Sequence, residues 1–356
     1  MIVYFSKMYQ AIPALQELYK KTGGVIITTR LSTLLKVKRN FPGTDIRLVK
    51  EYFPDWWPTK KLMRQADVIV TGSPNKKFLG QFSAKKVMIF HGTYAYAGQE
   101  QLNTLKHFDY LFSIGPRMTN YLIQGGYKDK IIESGYFPFL SFEVFNQQQK
   151  KEMYRTLNLS PKNKTILYMP RGKPNGSWDI MARKLIDETP IEFNLVLRPH
   201  PSQAVKLNFA SQLNLRKIKK LCERRGNAAL DLISQPLSSI FNISDLIICD
   251  GASSPEDSLF YKIPIIFLET ELTSRKKIQD ALNNKGISEI SIRKLLSIYE
   301  CGISMHPNDS VRDKIYEGLN PVNDKSEQQE KYFKWVFSNR SVNKQNLAIA
   351  FLSRFN

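Results

Sequence analysis

The sequence predicts an α/β protein of two doubly wound parallel domains facing a cleft, with a helical tail. Short runs of Val, Ile, Leu and Phe alternate with helical patterns in both halves. Those runs are apolar throughout instead of every second residue, the mark of a parallel sheet covered on both faces. The 356 residues also exceed one domain of roughly 100–200 residues.

In chain order, "IVYF" precedes the helical "MYQAIPALQELYKKTGG". Then come "VIITT", the helical "LSTLLKVKRNF", "DIRLV", "ADVIVTGSP", "KKVMIFHGT", "DYLFSIGP" and "KIIESGY". The stretch 137–164 is polar after Asn146 and breaks the rhythm, so it reads as a link. A second alternation follows: "TILYMP", a helix near Ile180–Asp187, "FNLVLRPHP", "AALDLI", "LSSIFNISDLIICDG", a helix from Pro255, and "IPIIFLE". The pattern from Ser326 onward is helical. We therefore place an N-terminal Rossmann-like domain at 1–145, a second at 146–325, and a tail at 326–356 that packs back on the first. Neither GxGxxG nor GxxxxGK[ST] occurs.

The formal charge is +20, a surface that attracts polyanions or anionic membrane. Basic residues concentrate in 206–227 and near the start of the chain, where "YFPDWWP" sets Trp56 and Trp57 beside lysines. That pairing suits contact with a membrane surface, or else a solvated basic face. No apolar run reaches the ~18–20 residues needed to span a bilayer, and the first residues do not read as a signal peptide. Cys222, Cys249 and Cys301 lack metal or disulfide spacing and read as reduced thiols. The expectation is a cytoplasmic protein, peripheral on the inner face of the cytoplasmic membrane. A nucleic-acid binder would also be basic, but no helix-turn-helix, RNP or zinc pattern is found, and no nucleic-acid partner is expected.

Three strand ends carry the candidate chemistry. "MIFHGT" places His91 and Gly92 after a strand, "LRPHPSQ" places Arg198 and His200, and "LIICDGASSPEDSLF" places Gly251, Ser253, Ser254, Glu256 and Asp257. In open α/β sheets, ligands sit beyond the carboxyl ends of the strands. A helix start beside small residues offers unpaired N–H groups to phosphate, though it also reads as an ordinary N-cap with acidic first-turn residues. Arg198 carries permanent charge and suits phosphate. Each histidine alone is as well explained by a loop hydrogen bond. Asp245 and Asp250 read as caps, and His107 and His306 as surface or core residues. No carboxylate cluster has metal spacing, so neither a metal nor another cofactor is called for.

The order of these motifs resembles the CDP-glycerol glycerophosphotransferase family of teichoic-acid and capsule primases and polymerases. The shared elements are HG after a strand, a "YMP" strand end, a strand ending in HP, and "SDLIICDGASSPEDSLFYKIPIIF". The likeness runs from about Val68 to Leu268, and its last segment aligns without gaps from Asp245 to Phe267. It implies a GT-B enzyme, with an alditol phosphate such as glycerol phosphate moved from a CDP-linked donor to a hydroxyl of a lipid-linked or polymeric anionic acceptor. It also implies His91 as the residue that helps deprotonate the acceptor. His200 would stabilise the transferred phosphate or leaving nucleotide, Ser253 and Ser254 would hold phosphate, and Asp257 or Glu256 would contact the ribose. Arg171 belongs with the nucleotide-binding set. Three departures stand out: "SGYFPFLSFE" lacks the arginine and aspartate of the family's Gly-x-Pro-Arg-x-Asp, "YMPRGKPNGSW" replaces "YAPTWR", and "CDGASS" replaces "TDYSS". A nucleotide-sugar glycosyltransferase or UDP-sugar epimerase of the same architecture is the alternative.

Overall fold

The computed structural model describes residues 1–90, 92–93, 99–205, 209–251 and 254–355, and of Gln99 and Ser254 only the backbone. The chain divides into two compact units, Met1–Phe142 with Lys334–Asn356, and Glu143–Phe333.

The first unit holds β1 (Ile2–Phe5), β2 (Val25–Thr28), β3 (Ile46–Leu48), β4 (Val68–Thr71), β5 (Lys85–Ile89), β6 (Tyr110–Ser113) and β7 (Ile131–Glu133). They form one sheet in the order β3-β2-β1-β4-β5-β6-β7, and the paired strands run parallel. β1, β2 and β4 are buried along their whole length, as continuous apolar runs require. Of the tail, residues 334–356 belong to this unit, whereas 326–333 belong to the second. The backbone of Val336 and Phe337 lies so close to Gly115 that a Cβ there would overlap it, and Gln345 donates to the Tyr136 carbonyl at 3.1 Å.

The second unit repeats the plan with β8 (Thr165–Met169), β9 (Asn194–Leu197), β10 (Ala228–Leu230), β11 (Leu246–Asp250), β12 (Ile265–Leu268) and β13 (Ile303–Met305). Their order is β10-β9-β8-β11-β12-β13, again parallel. On one face Trp178 stacks on Tyr168, and Leu215, Ile218 and Cys222 of the helix Phe209–Arg225 join the same core.

Two features depart from the expected elements. The supposed link contains a helix, Gln147–Leu157. Asn146 accepts from the Gln149 amide at 2.9 Å, and the Gln149 side chain accepts in return from the Asn146 amide at 2.9 Å. The segment after β12, which gave no reading, forms helices Arg275–Asn283, Glu289–Leu296 and Val311–Leu319 around β13. Among the described residues no helix is long and apolar enough to cross a membrane.

Candidate functional site

In the second unit β9, β8 and β11 lie side by side, with Leu197 beside Tyr168 and Met169 beside Cys249. Their carboxyl ends therefore deliver three loops to one edge: Arg198–His200, Arg171–Gly172 and Asp250–Gly251. The chain order reverses between β8 and β11, the place where doubly wound sheets take ligands.

Asp250 is fully buried and binds two of these loops together. Its Oδ2 accepts from the Arg171 amide at 2.7 Å and the Ser177 amide at 3.0 Å, and Oδ1 accepts from the Ser177 hydroxyl. Burial pushes its pKa up, opposed by the Ser177 hydroxyl and by the two amides. It is a clasp for the loop 171–177 more than a cap.

His200 opens the short helix Pro201–Ala204. Its Nδ1 accepts from the Ser202 amide at 3.2 Å and lies 2.8 Å from the Ser202 hydroxyl. An amide can only donate, so the neutral ring carries its proton on Nε2. A Cβ added to Gly172 would stand 2.8 Å from Nδ1 and 3.0 Å from the Ser202 Oγ. The loop after β8 thus lies against the imidazole, an approach that glycine permits.

Arg198 has a different duty from the phosphate contact its charge suggested. It is 9% exposed; Nη1 donates to the Asp231 carboxylate and, at 3.0 Å, to the Gln235 carbonyl. The charge is committed to the loop after β10, and its influence on His200 is indirect. Glu256 is likewise turned inward, where Oε1 accepts from the Tyr332 hydroxyl at 2.9 Å. Asp257 is half-buried in the first turn of Ser254–Ser258. Gly251 is dictated by packing: a side chain there would overlap the hydroxyl of Tyr299, which donates to the Thr273 carbonyl at 3.2 Å. Ser253, and the Ser254 side chain, lie outside the described residues.

In the first unit, His91 also lies outside the described residues. Gly92 is half-buried after β5, and Thr93 is buried. The Thr93 carbonyl accepts from Arg117 Nη2 at 3.0 Å, and the Arg117 guanidinium lies over the Trp335 ring, 5.2 Å from its centre. Neither residue was singled out in the sequence, because one arginine after "SIG" and one tail tryptophan carry no spacing signal. Asp245 is a tie between strand starts instead of a cap: it accepts from the Thr165 amide at 2.8 Å and so joins the start of β11 to that of β8. His107 packs on Phe108, and burial lowers its pKa, helped by nearby lysines. The three cysteines are free and buried.

Residues 52–283 match the model of a family described as CDP-glycerol:poly(glycerophosphate) glycerophosphotransferase. Among solved structures, the wall teichoic acid polymerase TagF is similar at 17% identity and a TM-score of 0.67, covering 99% of this chain and 87% of that one. Alr3699/HepE of Anabaena, solved with UDP and glucose, is similar at 11% identity and a TM-score of 0.54, covering 99% of each chain. No curated protein sequence matches.

Proposed function

The chain belongs to the CDP-glycerol:poly(glycerophosphate) glycerophosphotransferase family, and on that premise we propose how its own residues share the reaction. It is a GT-B transferase of glycerol phosphate from CDP-glycerol, and nucleotide-sugar chemistry is not favoured. The acceptor we propose is a hydroxyl of an anionic, polymeric or lipid-linked surface polymer of the teichoic-acid type. The first unit takes the reacting hydroxyl of this acceptor and the second takes the nucleotide.

The acceptor oxygen attacks the glycerol-bearing phosphorus, and a new P–O bond forms as the bond to the bridging pyrophosphate oxygen breaks. CMP departs with that electron pair, and His91 receives the hydroxyl proton. Such a displacement needs orientation and donors at the phosphates more than covalent help. Nε2–H of His200 is the donor at the phosphate, Arg171 lends charge beside it, and Ser253, Ser254 and Asp257 complete the nucleotide seat. Arg198, Glu256 and Gly251 support that seat from behind. The observation that carries this reading is the meeting of three loops at the β8–β11 reversal, with His200 held in one tautomer.

Replacing His91 or His200 by Ala is expected to lower turnover by about 100-fold or more while the melting temperature stays put. A folded His91→Ala enzyme working at the normal rate removes the proposed base. CDP-glycerol should raise the melting temperature more than UDP-glucose does, and the reverse order would refute the donor assignment.

A further inference from the structure

The net charge is distributed unevenly. The first unit carries 24 Lys and Arg against 9 Asp and Glu, whereas the second carries 28 against 23. Within the second unit the helix Phe209–Arg225 alone holds six of the cations and one acid, Glu223. Outside that helix the unit is balanced, 22 against 22. The positive excess of the second unit therefore resides in a single helix.

This helix has a divided surface. Leu215, Ile218 and Cys222 are buried in the sheet's core, while Arg216, Lys217, Lys219, Lys220 and Arg224 are exposed. Lys219 is paired with Glu223 at 3.6 Å, and Arg225 is occupied by the carbonyls of Ile186 and Pro190. No carboxylate among the described residues reaches ion-pair range of Arg216, Lys217, Lys220 or Arg224. Lys217, Lys220 and Arg224 follow at three- and four-residue steps and so form one stripe. The helix has 17 residues and is about 25 Å long. It connects the loop that carries His200 to β10, leading away from the carboxyl edge.

We infer that this stripe is the track for the anionic acceptor polymer, a chain of phosphodiesters that lies along Lys217, Lys220 and Arg224. The inference rests on the proposed acceptor. A regular row of unpaired cations suits a partner with regularly spaced charges better than a single nucleotide. A bilayer is a poorer fit, because an interfacial helix must turn its apolar face outward and this one has spent that face on the core. Contacts of this kind release counterions, so their strength falls with salt.

The test is the variant Lys217→Gln/Lys220→Gln/Arg224→Gln. The ratio of KM for long poly(glycerol phosphate) to KM for a single-unit lipid-linked acceptor should rise about tenfold. Binding of fluorescently labelled polymer without donor should weaken similarly and lose part of its salt dependence. Equal KM changes for both acceptors, or unaltered polymer binding, would overturn the assignment. So would loss of binding to phosphatidylglycerol vesicles with polymer binding intact, since the stripe would then serve the membrane. Polymer binding by wild type without transfer from CDP-glycerol would instead fault the reaction assignment and leave the track standing.

Discussion

At the scale of single residues, the imidazole of His200 is set by its neighbours. Ser202 fixes its tautomer, and the absence of a side chain at Gly172 leaves room for it. Gly172→Ala should push the ring or the loop aside by a few tenths of an ångström. On the proposed role of His200 as the phosphate donor, we expect kcat to fall about tenfold, with KM for CDP-glycerol changed much less, because such a displacement is felt most in the transition state. Steady-state kinetics decide it, and an unchanged kcat would mean the ring tolerates the methyl. His200 was legible as a candidate because two prolines and a strand end frame it. The duty of Arg198 was not, since Asp231 lies 33 residues away and pairs with it only once β9 and β10 are neighbours.

At the scale of elements, the buried strands were legible and their surroundings less so. β1, β4, β8 and β11 announce themselves as unbroken apolar runs. β13 is three residues long, "ISM", too short to carry any period. The helices around it begin at Ser274, Ser288 and Ser310, each accepting from an amide three residues on, a cue that single serines give too weakly without the strand beside them. That region is tied together by Glu269 at the end of β12. Glu269 accepts from the Ser304 hydroxyl at 2.7 Å and from the Arg275 guanidinium at 3.0 Å. Burial alone would raise its pKa, but Ser304, the Arg275 amide and the Arg275 charge outweigh it and hold it below the usual glutamate range. A carboxyl whose folded pKa is depressed stabilises fully above its unfolded pKa and loses that contribution as pH falls through the folded value. Glu269→Gln should therefore cost about 0.5–1 kcal/mol at neutral pH, since solvent screens the half-exposed Arg275, and the gap from wild type should close on acidification below the glutamate range. A pH series of melting curves checks this, and a gap that persists in acid would mean that packing, not charge, is lost.

At the scale of the whole molecule, charge separates the two units. The first is basic throughout and exposes Tyr52, Trp56 and Trp57 beside Lys61 and Arg64, aromatics and cations that together suit an anionic bilayer surface. We expect co-sedimentation with phosphatidylglycerol vesicles, release at high salt, and about tenfold weaker binding for Trp56→Ala/Trp57→Ala. Equal binding to phosphatidylcholine vesicles would reject this. The first unit is also assembled from segments on both sides of the second, with Gly115 and Tyr136 waiting for Phe337 and Gln345. On a ribosome its sheet emerges early but its last helices emerge only after the whole of the second unit. The second unit can therefore be complete in the nascent chain while its elder neighbour still shows bare apolar surface, the interval in which a chaperone has most to do.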